Sequence, residues 1–286
     1  MTTSAGMRIL KAVAVIVIVA WSIGPILLGI TTSTSTQREV NSIPSHWVPH
    51  QPTLKAYRAL LNGSSGQASG GTVTQGGEFL HAMTNSAELA LASAALTLVV
   101  GTMAAYALGR LRFRFGGAVL ALLIGTIVIP IFVIVIGLFQ VMANAQLIDT
   151  KRGLVLVFVA TQSPLAIWLL YTQVREMPHE PEEAALIDGC RRWQAFLRVV
   201  IPQMTSGIAA VAAILALSVW GEFLIPLLLT STMNAKPVTV LITEYVGKYT
   251  TNYPILAAGG VLALIPPALL ALLLNKRITG MLAGSS

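Results

Sequence analysis

Long apolar runs separated by polar breaks set the pattern of this chain. The runs fall at about Ile9 to Ile30, Ala87 to Leu108, Gly117 to Met142, Gly153 to Gln173, Gly207 to Leu229 and Pro254 to Leu274. Each holds about 20 residues or more, enough for a helix rising 1.5 Å per residue to cross a hydrocarbon core. Lipid cannot satisfy an open backbone, so helices are the predicted form of every run. The pattern therefore predicts an all-α, polytopic membrane protein with six transmembrane helices and a single transmembrane domain over residues 1–286.

The runs differ in detail. The first is too long for the core of a typical signal peptide and lacks a clean small-residue cleavage site, so it reads as a retained anchor. Arg8 and Lys11 at its start favour a cytoplasmic N-terminus. The second is crowded with Ala92, Ser93, Ala94, Ala95, Gly101, Ala104 and Ala105, small residues that let helices approach closely and predict a position inside the bundle. It leaves the membrane through Arg110, Arg112 and Arg114, and Glu88 at its other end is expected to reach water. Pro130 in the third run removes a backbone bond and invites a kink, serving a moving pathway or structure alone. In the fifth run Glu222 follows Trp220 and Gly221 deep in apolar sequence. A carboxylate at that depth is costly unless paired or wetted. Glu222, Trp220 and Pro130 are thus candidates for a pathway or gate, with a structural hydrogen bond as the alternative for Glu222. The sixth run contains Pro266 and Pro267.

Residues 31–84 form the longest break, expected outside the cell. Its stretch from Asn62 to Glu78 is low-complexity and lacks the Lys-Ser/Thr ending of a phosphate cradle, so it reads as a flexible excursion. Eleven of the 18 Lys and Arg residues, Lys276 and Arg277 among them, then fall on the cytoplasmic side. That bias supports both termini in the cytoplasm, although Lys151 and Arg152 run against it.

The break at 175–206 carries Glu182, Glu183, Asp188, Arg191, Arg192 and Arg198, charge that cannot sit in lipid. Pro181 suits a first helical turn, and the acidic pair after it complements a helix's positive end. Ala184, Ala185, Leu186 and Ile187 continue the helix, and Gly189 can cap it in the left-handed region. Trp193, Phe196, Leu197 and Val200 then recur at three- and four-residue steps, predicting a second helix with one apolar stripe that Pro202 closes. A helix-Gly-helix elbow at the membrane surface is the result.

Composition narrows the function. With 55% hydrophobic and 10% charged residues the chain is far from soluble usage. In a membrane chain, a net charge of +7 records topology and contact with anionic lipid headgroups rather than nucleic acid. The single Cys190 permits no intrachain disulfide, and His46, His50, His81 and His179 are scattered, so no metal-ligand set is expected. No G-x-x-x-x-G-K-[ST] string and no catalytic cluster occurs. Neither catalytic residues nor a cofactor are expected.

The elbow resembles the EAA motif of binding-protein-dependent ABC importer permeases. Glu183, Ala184, Ala185 and Gly189 fall in place, and Val199, Ile201 and Pro202 close the pattern at the right distance. The Ile187-Asp188-Gly189 form with a later Phe is similar to the carbohydrate-uptake, maltose-type branch. The Pro52-Thr53-Leu54 to Tyr57 run, the string from Ala104 to Phe115 and the segment from Lys236 to Tyr245 also resemble that branch.

The resemblance implies a type I ABC importer permease fold. It also implies a second homologous permease, two ATPase subunits beneath, an external solute-binding protein and a carbohydrate or polyol as cargo. Glu182, Glu183, Ala184, Ala185, Asp188, Gly189 and Pro202 would form the ATPase-coupling elbow. Glu183 would pair with a basic residue of the ATPase, the alanines would keep the helix slim, and Gly189 would permit the turn. Two alternatives stay open: an importer permease for a non-sugar solute, and a proton-coupled secondary transporter centred on Glu222.

Overall fold

The structure is a computed structural model describing residues 5–44, 47–62, 77–111, 114–246 and 251–283, with backbone alone at Ala5, Arg8 and 274–283. The side chains of Arg8, Arg112, Lys276, Arg277 and His46, and residues 63–76 of the low-complexity stretch, lie outside that description.

The apolar runs become helices. In order the chain forms α1 (Ala5–Thr34), α2 (Gln37–Val40), α3 (Lys55–Asn62), α4 (Glu78–Arg110), α5 (Gly116–Ile127), α6 (Ile131–Asn144) and α7 (Lys151–Glu176). It continues with α8 (Glu180–Ile187), α9 (Arg192–Ala195), a π turn at Phe196–Val200, α10 (Ile201–Gln203), α11 (Thr205–Gly221), α12 (Leu224–Leu229), α13 (Val238–Glu244) and α14 (Tyr253–Ala283). Among the described residues four helices are long and apolar enough to cross a membrane, and up to six crossings result if each of two bent pairs, α5 with α6 and the 192–203 arm with α11, is one span. That upper count equals the six runs read from the sequence.

Two runs are broken where single kinks or continuous helices were expected. In the third, α5 and α6 meet at 98°. Pro130 offers no N–H and takes φ −61°, ψ 134° at the head of α6, so the helix stops and restarts instead of bending. In the fifth, α11 ends at Gly221 and Glu222 stands extended at φ −69°, ψ 131° before α12 begins.

The described chain forms two compact units, 1–81 with 241–265 and 82–240 with 266–286. In the first, Thr53 N–H donates to Thr34 O at 2.7 Å, and the Ser33 and Tyr57 hydroxyls are hydrogen-bonded at 2.7 Å, which ties α3 to the end of α1. Gln37 clamps the start of α14, donating from Nε2 to Thr251 O at 2.8 Å and accepting Tyr253 N–H at 3.1 Å.

In the second unit α7 is central. Its buried Gly153, Leu154, Val157, Phe158, Ala166, Ile167, Leu170 and Val174 recur at helical spacing and serve two cores along its length. One joins Leu89, Ala90, Val157, Phe158, Val219 and Leu229; the other joins Ala105, Tyr106, Leu170, Val174, Phe196, Val200 and Val211. Close approach to α4 depends on its small residues: a Cβ on Gly109 would lie 2.7 Å from Val174 Cγ1. As the sequence predicts, α4 is internal, with half of its apolar window buried against none of α1's.

Candidate functional site

The charged elbow grows from the adjoining ends of α4 and α7. Local chemistry shapes its first arm. Pro181 occupies the first turn of α8, and Glu180, Glu182 and Glu183 lie at its positive end. The arm stops at Gly189, whose φ is +90°. Cys190 N–H donates to Ala185 O at 3.0 Å and Gly189 N–H to Leu186 O at 3.1 Å, the paired bonds of a Schellman cap.

Side chains fasten this arm to the spans. Glu182 is only 7% exposed. Its Oε1 accepts the Tyr106 hydroxyl at 2.5 Å, and its Oε2 lies 3.3 Å from Arg110 Nε. The latter contact is a charge pair without hydrogen-bond alignment, since neither atom finds a hydrogen-bond partner. Arg110 spends its other donors on the end of α7, giving Nη2 to Met177 O at 2.8 Å and to Pro178 O at 3.1 Å. Its Nη1 meets His179 Nδ1 at 2.6 Å, and because arginine can only donate, that nitrogen is the acceptor. One guanidinium thus holds the carbonyls just beyond α7 and the root of α8 together.

The second arm reaches the same place. Arg191 N–H donates to Gln194 Oε1 at 2.8 Å and starts α9. In the π turn Ile201 N–H reaches back to Phe196 O, and Pro202 has no N–H with which to restore an ordinary ladder. Phe196 packs on Tyr106 with ring centroids 4.8 Å apart. Tyr106 therefore touches both arms.

The elbow's outer surface differs from its root. Glu183, Ala184, Asp188, Gly189 and Pro202 are exposed, Ala185 is half-buried, and Ile187 is 85% exposed. Glu182, grouped with the outward residues from sequence, points inward. The expected single stripe of the second arm is also split: Phe196 and Val200 are buried while Trp193 and Leu197 are exposed. A π turn carries more residues per turn than an α-helix, and this displaces Leu197 from the face that meets Tyr106. Sequence reasoning missed Tyr106 and Arg110 as holders of the elbow. Their signal was a phenol and a guanidinium four residues apart on one face of an otherwise apolar helix.

The gate candidates sit at breaks. Glu222 Oε1 accepts Leu224 N–H at 3.1 Å and Ile225 N–H at 3.4 Å, which starts α12, and Glu222 O accepts the Thr239 hydroxyl at 2.9 Å. Trp220 is half-buried against the core around Val157 and Phe158. Pro130 is exposed at the head of α6, and α12 packs against both α6 and α7. The two broken runs are therefore neighbours. At the end of α7 away from the elbow, Lys151 Nζ meets Glu88 Oε2 at 2.6 Å, giving a partner to the lysine that runs against the charge bias. Asp149 nearby accepts Ser231 N–H at 2.9 Å, Thr232 N–H at 3.0 Å and the Thr232 hydroxyl at 2.6 Å.

The geometry is that of a helical chain with broken apolar spans and a charged elbow braced by two helices. Residues 97–280 match the family described as binding-protein-dependent transport system inner membrane component, and the chain belongs to that family. It is 29% identical over 277 residues to the sulfoquinovosyl glycerol transport system permease protein SmoH of Agrobacterium fabrum, covering 96% of this chain and 92% of SmoH. It is also 29% identical over 274 residues to the trehalose transport system permease protein SugB of Mycobacterium tuberculosis, covering 94% and 93%. Its fold is that of a bacterial ABC transporter involved in the import of the acidic polysaccharide alginate, with TM-score 0.79 and 18% identity over 96% of this chain and 99% of that one.

Proposed function

We propose that this chain is a permease subunit of an ATP-driven importer for a carbohydrate, and that the elbow at 175–206 couples it to the ATPase. Family membership and the sugar-transport relatives support the first part. The observation that carries the second is the junction at Tyr106, where Glu182 and Phe196 bring both arms of the elbow onto one span. The chain contributes no nucleotide-binding motif, so hydrolysis belongs to two partner ATPase subunits. A second permease completes the pathway, and an external binding protein delivers the cargo.

In this reading the termini and the elbow face the cytoplasm, and residues 31–84 face outward. Glu183, Ala184 and Ala185 offer the face that enters the ATPase, and Glu183 pairs with a base there. Closure of the ATPases moves the elbow, and the energy enters as a difference in contact between two states of the pathway. Glu222, as the cap of α12, holds the break in the fifth run, where Trp220 and the α6 helix headed by Pro130 can shift with it.

A mild-detergent pull-down from the native membrane tests this. The eluate is assayed for ATPase activity, then reconstituted with its binding protein and offered labelled glucose, trehalose, maltose and glucuronate. An ATPase, a second permease, a binding protein and ATP-dependent sugar uptake are expected. A chain that elutes alone and moves solute on a proton gradient would overturn the reading and make Glu222 the centre of the mechanism.

A further inference from the structure

A cavity of about 260 Å³ opens in the first unit where α1 ends and the chain turns through α2. Leu28 forms part of its apolar wall, Thr31, Thr32, Ser35 and Glu39 its polar wall, and Trp47 its aromatic side. The Thr31 hydroxyl donates to Leu28 O at 3.1 Å and the Ser35 hydroxyl to Thr31 O at 2.8 Å. Their hydrogens are committed, so their oxygens are left as acceptors. The Trp47 ring is 76% exposed and presents a flat apolar face with an N–H at its edge.

Glu39 frames this site rather than serving as a ligand. Its Oε1 accepts His50 N–H and Gln51 N–H, both at 3.0 Å. Its Oε2 accepts Thr36 N–H at 3.0 Å and the Thr36 hydroxyl at 3.2 Å. Four donors fill the carboxylate and tie the segment beyond Trp47 back to the start of α2. The charge itself remains, and among the described residues no lysine or arginine lines the cavity. An anionic guest would therefore meet repulsion without compensation.

We infer that this cavity binds one unit of a neutral saccharide, stacked on Trp47 with its hydroxyls directed to Thr31, Thr32 and Ser35. Sugars pair apolar ring faces with a rim of O–H donors, and the cavity offers an aromatic plane beside a row of hydroxyl acceptors. Lipid fits less well. An acyl chain would strand those hydroxyls, an anionic headgroup would face Glu39, and a quaternary ammonium is best held by a cage of several rings. The inference rests on the carbohydrate-importer reading and deepens it by naming uncharged sugars as the class handled.

The test uses the reconstituted complex with the same four sugars. Trp47→Ala is expected to raise KM for the transported neutral sugar about tenfold while leaving maximal ATP-driven uptake within twofold, and Trp47→Phe, which keeps a ring, is expected to restore most of the loss. Thr32→Val, which removes only a hydroxyl, is expected to raise KM about threefold. In the complex without its binding protein, millimolar concentrations of that sugar should quench tryptophan emission in wild type but not in Trp47→Phe. Wild-type KM in Trp47→Ala, quenching that survives in Trp47→Phe, or a Trp47 effect that follows vesicle lipid composition instead of the sugar overturns the site while the importer reading stands. Preferred uptake of glucuronate overturns the neutral class. A wild-type complex that moves none of the sugars overturns both the carbohydrate reading and this inference.

Discussion

The Glu182 carboxylate accepts the Tyr106 hydroxyl at 2.5 Å, joining a charged loop helix to a membrane span 76 residues earlier in the chain. Glu182 and Arg110 are both nearly inaccessible, with side chains 9% and 2% exposed. Removing one partner of a buried pair leaves an uncompensated charge, at about 3–5 kcal/mol. Arg110→Ala is accordingly expected to lower the thermal midpoint in detergent more than Tyr106→Phe, which loses a hydroxyl and costs about 1–3 kcal/mol. In the reconstituted complex Tyr106→Phe is expected to retain ATP hydrolysis while lowering the sugar moved per ATP. An unchanged transport-to-hydrolysis ratio would count against a coupling role for the junction.

Gly189 separates fold from coupling. Its φ of +90° disfavours any side chain, yet a Cβ there meets nothing within 4 Å. Gly189→Asp should therefore cost about 1–3 kcal/mol of backbone strain without a clash. The protein is expected to insert normally in the membrane and to lose the ATPase in the pull-down. Unchanged sugar-stimulated ATP hydrolysis and uptake would remove Gly189 from the coupling surface.

Gly153 makes the opposite case. A Cβ at this position would sit 2.2 Å from Leu147 O and 3.1 Å from Leu147 Cβ, with backbone as the obstacle, while one at Gly137 meets nothing. Gly153→Ala is expected to cost about 1–3 kcal/mol through overpacking, and Gly137→Ala is expected to cost less. Thermal melts of the two purified variants, monitored by size exclusion, check the order.

Asp149 sets an acid limit on the loop that precedes α7. Partial burial works to raise its pKa, but hydrogen bonds from Thr232 and Ser231 and the charge of Lys236 outweigh this and hold it below the ordinary aspartate value. A depressed folded pKa gives stability that is present above the unfolded value of about 3.9 and is lost as pH falls through the folded one. Asp149→Asn is expected to melt earlier than wild type at pH 7. That difference should stay level down to about pH 5 and shrink below about pH 4. A gap independent of pH would show that shape, rather than charge, holds the loop.

The spans and the elbow were legible because their signals are local. Apolar length fixed the runs, and Pro181, the acidic turn and Gly189 fixed the first arm. What escaped depends on neighbours. Glu182 and Glu183 are adjacent and identical in type, yet one faces Arg110 and the other lies exposed, a choice set by where the end of α4 falls. Pro130 and Glu222 were visible as anomalies, but a proline announces a disturbance without giving its angle. Glu222 proved to start a helix because the break ahead of it freed the Leu224 and Ile225 amides. The inward stripe of the second arm failed for a similar reason, since the π turn changed the period on which the reading relied.

Helix α8 behaves as a short cantilever. It is clamped near one end by Glu182, while Ile187 stands out five residues further along, about 7.5 Å down the helix axis. A partner that grips the free tip applies a torque at the clamp rather than a simple push. Because Arg110 belongs to α4 and holds the Met177 and Pro178 carbonyls just beyond α7, that torque is shared by two membrane spans at once.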